Sequence, residues 1–246
     1  MPTKARSILL LAFPDVQLLD VSGPLQVFAS ANELAAQQRL AEPYAPRVVA
    51  AEAGLVTSSS GLALLAHSIS SVKGLIDTLI IPGGRGVSAA SEDVRLTRWI
   101  RRQTSRSRRI ASVCSGAFLL AEAGLLDGRR VVTHWGRCDE LANRYPKLRV
   151  ETDPIFVRDG DIWTSAGVTA GIDLALALVE ADLGRSIALE VARELVVFLK
   201  RPGASPSLAP CCRCKGRTTG SATCMHGWWH TLPRTCPSLC SPDDST

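Results

Sequence analysis

Between Arg109 and Gly124 an apolar strand runs straight into a helix with a cysteine at the joint, and this stretch constrains the fold most tightly. Ile110 to Val113 has the length of a buried strand; Leu119, Leu120 and Ala123 then follow in a helix-forming run that Gly124 stops. Cys114 falls in the tight turn between them, the position at which a nucleophile elbow presents its reactive side chain. Ser115 and Gly116 bring small side chains and free N–H groups to the helix start, where the helix dipole favours a thiolate or an oxyanion. Read from this stretch alone, Cys114 is equally well a small buried hydrophobe, the ordinary role of a free cysteine.

The rest of the chain repeats the strand-then-helix pattern. Ser7 to Phe13, Tyr44 to Ala50, Leu75 to Ile81 and Val131 to Thr133 read as strands. Gly54 to Ala66 reads as extended chain with a bend at Thr57 to Gly61. Gly23-Pro24 predicts a helix start with proline in the first position, followed by an apolar stripe of Leu25, Phe28, Ala31, Leu34 and Ala35. Further helices are predicted over 93–106, after His134-Trp135, over 171–182 and over 186–199. Asp159-Gly160 marks a hairpin within 155–165. Such alternation predicts an α/β sandwich around a mostly parallel sheet, whose ligands sit beyond the carboxyl ends of the strands. Asp20, Gly83, Cys114 and His134 each follow a predicted strand, so one site can draw on all four.

Charge and cysteine are unevenly spread. Residues 201–246 hold five Lys or Arg against two Asp, which is net +3 of the total +5. Six of the eight cysteines also lie there, leaving Cys114 and Cys138 in a nearly neutral body that suits a reducing, cytoplasmic compartment. No apolar run reaches the roughly 20 residues of a membrane span. The start, with Lys4 and Arg6 before Ile8 to Phe13, is too short in apolar residues for a signal peptide and reads as a strand. The run Arg101, Arg102, Arg106, Arg108 and Arg109 reads as a solvated helix end rather than a nucleic-acid patch.

Four segments together resemble the ThiJ/PfpI superfamily, whose domains are class I glutamine amidotransferase-like. They are Asp20-Val21-Ser22-Gly23-Pro24, Leu79 to Gly86 (LIIPGGRG), Ala111 to Trp135 (ASVCSGAFLLAEAGLLDGRRVVTHW) and Thr164 to Glu180 (TSAGVTAGIDLALALVE). Within that superfamily the resemblance is to the branch of isonitrile hydratases and of AraC-type transcriptional regulators with an amidase-like amino-terminal domain. It covers about residues 7 to 203 and implies a flavodoxin-like three-layer sandwich and a homodimer. Carried over residue by residue, it makes Cys114 the nucleophile, Asp20 the acid beside the sulfur, and Ser115 a donor near it. Gly83-Gly84 becomes the turn that offers an N–H to the site. A carboxyl and a thiol in one pocket titrate as a unit, and a protonated Asp20 is then a proton donor. Asp20 also reads as a cap or turn residue, and His134 either lines the pocket or is a structural histidine beside Trp135. No His-x-Glu pair follows the pattern of the glutamine amidotransferases, which argues against a glutaminase.

Residues 1–203 thus form the expected domain, and Val191 to Gly203 resembles the segment that leads into the regulators' helix-turn-helix domain. From Ala204 the chain is rich in Pro, Cys, Gly, Arg and Trp without helical periodicity, as in a shifted reading frame of GC-rich DNA. Disorder is the expectation for 204–246, and no sequence-specific DNA binding is the expectation for the chain as it stands. A zinc reading of Cys211-x-x-Cys214 with Cys224, His226, His230, Cys236 and Cys240 fits no finger spacing, and neither metal nor cofactor is expected. Two readings stay open. One is a dimerising, small-molecule-sensing domain of an AraC-type regulator that lacks its DNA-binding half. The other is a cysteine-dependent enzyme resembling isonitrile hydratase. Neither involves a membrane.

Overall fold

The computed structural model describes residues 5–199. In chain order the elements are β1 (Arg6–Leu11), α1 (Leu18–Gln37), β2 (Tyr44–Ala50), β3 (Gly54–Thr57), β4 (Ala63–Ser68), β5 (Ile76–Ile81), α2 (Val87–Glu92), α3 (Val94–Gln103), β6 (Ser107–Val113), α4 (Gly116–Glu122), β7 (Arg130–Val131), α5 (Cys138–Arg144), β8 (Arg149–Val150), β9 (Phe156–Asp159), β10 (Ile162–Ser165), α6 (Ala170–Leu183) and α7 (Arg185–Glu194). Eight strands form one sheet in the order β3-β4-β2-β1-β5-β6-β10-β9, and β7 pairs with β8 apart from it. The pairs from β4 through β10 are parallel, while β3 and β9 close the edges antiparallel.

The central strands are covered on both faces, which is why they read as unbroken apolar runs rather than alternating ones. Ile8 to Leu11 and Leu79 to Ile81 have no exposed surface. Helices α1, α6 and α7 pack together as one layer, and α2, α3 and α4 as the other. The result is the expected flavodoxin-like three-layer α/β sandwich.

Register decides what the sheet delivers to its carboxyl edge. Ile81 lies opposite Ser112, and Val113 opposite Ser165, so β5, β6 and β10 end level. Their next residues, Pro82-Gly83, Cys114-Ser115 and Ala166-Gly167, emerge side by side. The loop after β1 is tied to the same edge, because Gln17 N–H donates to the Gly83 carbonyl at 2.9 Å and Gly86 N–H to the Asp15 carbonyl at 3.2 Å.

Two local expectations are corrected. Helix α1 begins at Leu18, so Pro24 lies inside it instead of opening it. The ring removes one hydrogen bond, to the Asp20 carbonyl four residues back, but burial of the following turns carries the helix on. Gly23 and Pro24 keep that face thin where α6 crosses: a Cβ on Gly23 would stand 3.0 Å from Ile172.

The arginine run is the second. Helix α3 stops at Gln103, and Arg108 and Arg109 belong to β6. Arg109 is buried with its guanidinium on Asp182 and its Nε donating to Thr78 Oγ1 at 2.7 Å. Arg108 makes two 2.8 Å bonds to Asp77 and one of 2.6 Å to Asp182, and the Tyr44 hydroxyl donates to Asp182 at 3.2 Å. The carboxyl end of α6 is thereby clamped to the amino ends of β5 and β6.

Among the described residues no helix is long and apolar enough to cross a membrane, and no cluster of three His, Cys, Asp or Glu could hold a metal ion. The expectations for 204–246, including the zinc reading, lie outside the described residues, as does 200–203 of the linker-like segment.

Candidate functional site

Cys114 occupies the turn from β6 into α4 with a φ of +57°, a left-handed conformation that costs a non-glycine residue roughly 1–2 kcal/mol. Three bonds to neighbouring strand ends hold it there. Its N–H donates to the Ser165 carbonyl at 3.1 Å, its carbonyl accepts from Thr133 Oγ1 at 2.9 Å, and the next hydroxyl, Ser115 Oγ, accepts from Gly84 N–H at 3.1 Å. The residue is 8 % exposed and counts among the buried core.

Asp20 reaches the same place from the first turn of α1. It has no exposed surface, and its Oδ2 accepts from Gly83 N–H at 2.9 Å. Oδ1 is equally buried, and the Val168 N–H and the Cys114 thiol lie near the carboxyl. Burial pushes the carboxyl up to about 7, although the N–H groups of Gly83 and Val168 and the Cys114 thiol pull the other way. Burial and the Asp20 charge likewise push the Cys114 thiol up, against the Ser115 and Val168 N–H groups. The expectation of a thiolate eased by the helix start is therefore outweighed: α4 has seven residues, and desolvation dominates. The Asp20 charge raises the thiol while the thiol's hydrogen bond lowers the carboxyl, so the two titrate as a coupled pair.

Close approach fixes two glycines in the wall. A Cβ on Gly83 would lie 2.5 Å from Ser115 Oγ and 3.0 Å from Cys114 Cβ. A Cβ on Gly167 would lie 2.8 Å from Cys114 Cβ and 2.9 Å from its sulfur, at a φ of +120° that suits only glycine.

The structure thus brings Asp20, Gly83, Gly84, Cys114 and Ser115 together. His134 lies one residue beyond Thr133; its Nδ1 accepts from Gly136 N–H at 3.2 Å, and its ring packs on Trp135. Burial and Arg137 hold its pKa below the usual value. Sequence reasoning missed Thr133, Gly167 and the Val168 N–H. Backbone donors carry no residue-type signal, and only the small-residue run Thr164 to Ala170 hinted that chain passes close to something there.

Fold and site together define a flavodoxin-like α/β protein with a buried thiol–carboxyl pair at the carboxyl edge of its sheet. The DJ-1/PfpI family model matches residues 6–181, and the chain belongs to that family. It is 36% identical over 203 residues to isonitrile hydratase of Pseudomonas putida, across 81% of this chain and 83% of that one. It is 34% identical over 166 residues to the HTH-type transcriptional regulator CdhR of Pseudomonas aeruginosa, covering 66% of this chain and 48% of the regulator. The chain spans about half the length of such regulators. Among solved structures it is similar to a ThiJ/PfpI family protein from Pseudomonas syringae, with a TM-score of 0.72, 29% identity and coverage of 85% and 83%. An AraC family transcriptional regulator from Pseudomonas putida shares the fold at a TM-score of 0.68 and 22% identity, covering 77% of this chain and 99% of that one.

Proposed function

We propose that this domain senses a small molecule against Cys114 as the dimerising part of an AraC-type transcriptional regulator. The observation that carries the reading is the buried pair itself. Asp20 is fully buried, with Gly83 N–H on its Oδ2, beside a thiol that burial keeps protonated, an arrangement better suited to recognising a ligand than to attacking one at rest. Likeness to several regulators supports the assignment.

A second reading, a cysteine-dependent hydratase, is favoured by the likeness to isonitrile hydratase over most of both chains. Above the first ionisation the pair holds one proton for two groups, so a minor form has a Cys114 thiolate and a protonated Asp20. Thiolate attack would form an S–C bond to the isonitrile carbon, and Asp20 would deliver its proton to that carbon, giving a thioformimidate. Water adds there, the C–S bond breaks, and the N-substituted formamide leaves with the thiolate and the acid regenerated.

Incubation with an aryl isonitrile separates the two. Thermal stabilisation that Cys114→Ala abolishes, with at most one formamide per chain, supports sensing. Many formamides per chain, lost in Cys114→Ala, establishes the hydratase instead. Neither stabilisation nor product overturns isonitrile recognition by this site.

A further inference from the structure

At the sheet's amino edge, opposite Cys114, lies an open cavity of about 760 Å³. That volume is within the ordinary range for small-molecule sites. Arg6 of β1, Arg47 of β2, Lys73 before β5, Arg106 just before β6 and Arg108 near its start all line it, against a single carboxylate, Asp77. Asp77 is already committed to Arg108 through two 2.8 Å bonds. Arg106 is held over the rim by a 2.8 Å bond from its Nη2 to the Gly74 carbonyl. Arg6, Arg47 and Lys73 form no ion pair among the described residues.

Cations gathered in a concavity repel one another, and low-dielectric walls focus their field on whatever enters. Fixed guanidinium forks match phosphate oxygens in geometry and charge. Leu75 stands 80% exposed on the same wall, beside Ala5 and Ala45, and offers an apolar surface next to the charges.

We propose that this cavity is a second binding site, taking a small molecule with several phosphate charges through Arg6, Arg47, Lys73 and Arg106. An organic part of the ligand would lie on Leu75. The site is independent of the thiol reading above, because none of its residues touches Asp20 or Cys114.

Calorimetric titration of the full chain with sodium tripolyphosphate, ATP and adenosine tests it. The wild type is compared with the double variant Arg47→Glu/Lys73→Glu, both positions being solvent-exposed strand or loop residues. Saturable binding of the two polyphosphates, weakened roughly tenfold or more in the variant and falling with salt, is expected, while adenosine alone does not bind. Tighter binding of ATP assigns its organic part to the Leu75 wall; equal affinities assign recognition to the phosphates. No saturable polyphosphate binding, or binding that the double variant leaves intact, overturns the proposal. Alkylation of Cys114 at unchanged rate in the variant keeps this outcome distinct from any failure of the thiol site.

Discussion

Asp20 is buried where its charge is costly, and this has a readable sign. Its folded pKa of about 7 lies above the ordinary 3.8, so the folded state binds its proton more tightly than the unfolded chain does. The stabilisation is complete below the unfolded value and is lost as pH rises through the folded one. Asp20→Asn cannot ionise, so the wild type should lose on the order of 2 kcal/mol relative to the variant between about pH 5 and pH 8. Urea denaturation at both pH values checks this, and a constant difference contradicts it. Gly167 gives a second residue-scale prediction. Gly167→Ala forces a Cβ to 2.9 Å from the Cys114 sulfur and should destabilise the fold by roughly 2 kcal/mol or more. A loss well under half that in the same assay would mean the loop relaxes freely. Cys114 is legible from its place in the strand-to-helix turn, whereas the placing of Asp20 and Ser115 beside it comes from the family resemblance. The Val168 N–H and the close packing of Gly167 are not legible, since any residue type supplies an N–H and only the register of β6 with β10 aims it.

Elements became legible where local chemistry and tertiary packing agree. The hairpin within 155–165 forms, but its turn is Gly160-Asp161, one residue later than the Asp159-Gly160 pivot: Asp159 pairs with Ile162, and Gly160 takes a φ of +65°. The capping side chain of Asp93 starts α3 one residue after it, its Oδ1 accepting from Arg95 N–H at 2.8 Å. The start of α1 departs from the sequence expectation because proline usually opens helices, and packing overrides that preference here. Arg108 and Arg109 read as a helix end in the sequence because their partner Asp182 lies far along the chain. That clamp yields an element-scale prediction. Asp182→Ala leaves the Arg109 guanidinium, 4% exposed, with only the 3.7 Å pairing to Asp77, and should cost about 3 kcal/mol in urea denaturation. Replacing Arg109 and Asp182 together by Met and Leu should cost markedly less. Equal losses would show that the ion pair itself, and not the orphaned charge, carries the effect.

At the scale of the molecule, one end of the sheet gathers a thiol and a carboxyl while the other gathers cations, and the strands keep the two apart. The dimerising role makes a plain demand: light scattering on eluting protein should give twice 26.3 kDa, and a stable mass of 26.3 kDa at micromolar concentration rejects it. Everything proposed for the site depends on three level strand ends and one helix start holding Asp20 and Cys114 as a single titrating unit. Alkylation by iodoacetamide, read on the Cys114 peptide by mass spectrometry from about pH 5 to pH 9, measures that directly. The wild type should show a rate that rises with a midpoint near 7 and then levels, because the first proton lost from the pair opens the thiolate form. Asp20→Asn should remove the step and leave one rise at higher pH. A wild-type profile without the step, or one that Asp20→Asn leaves unchanged, contradicts the pairing.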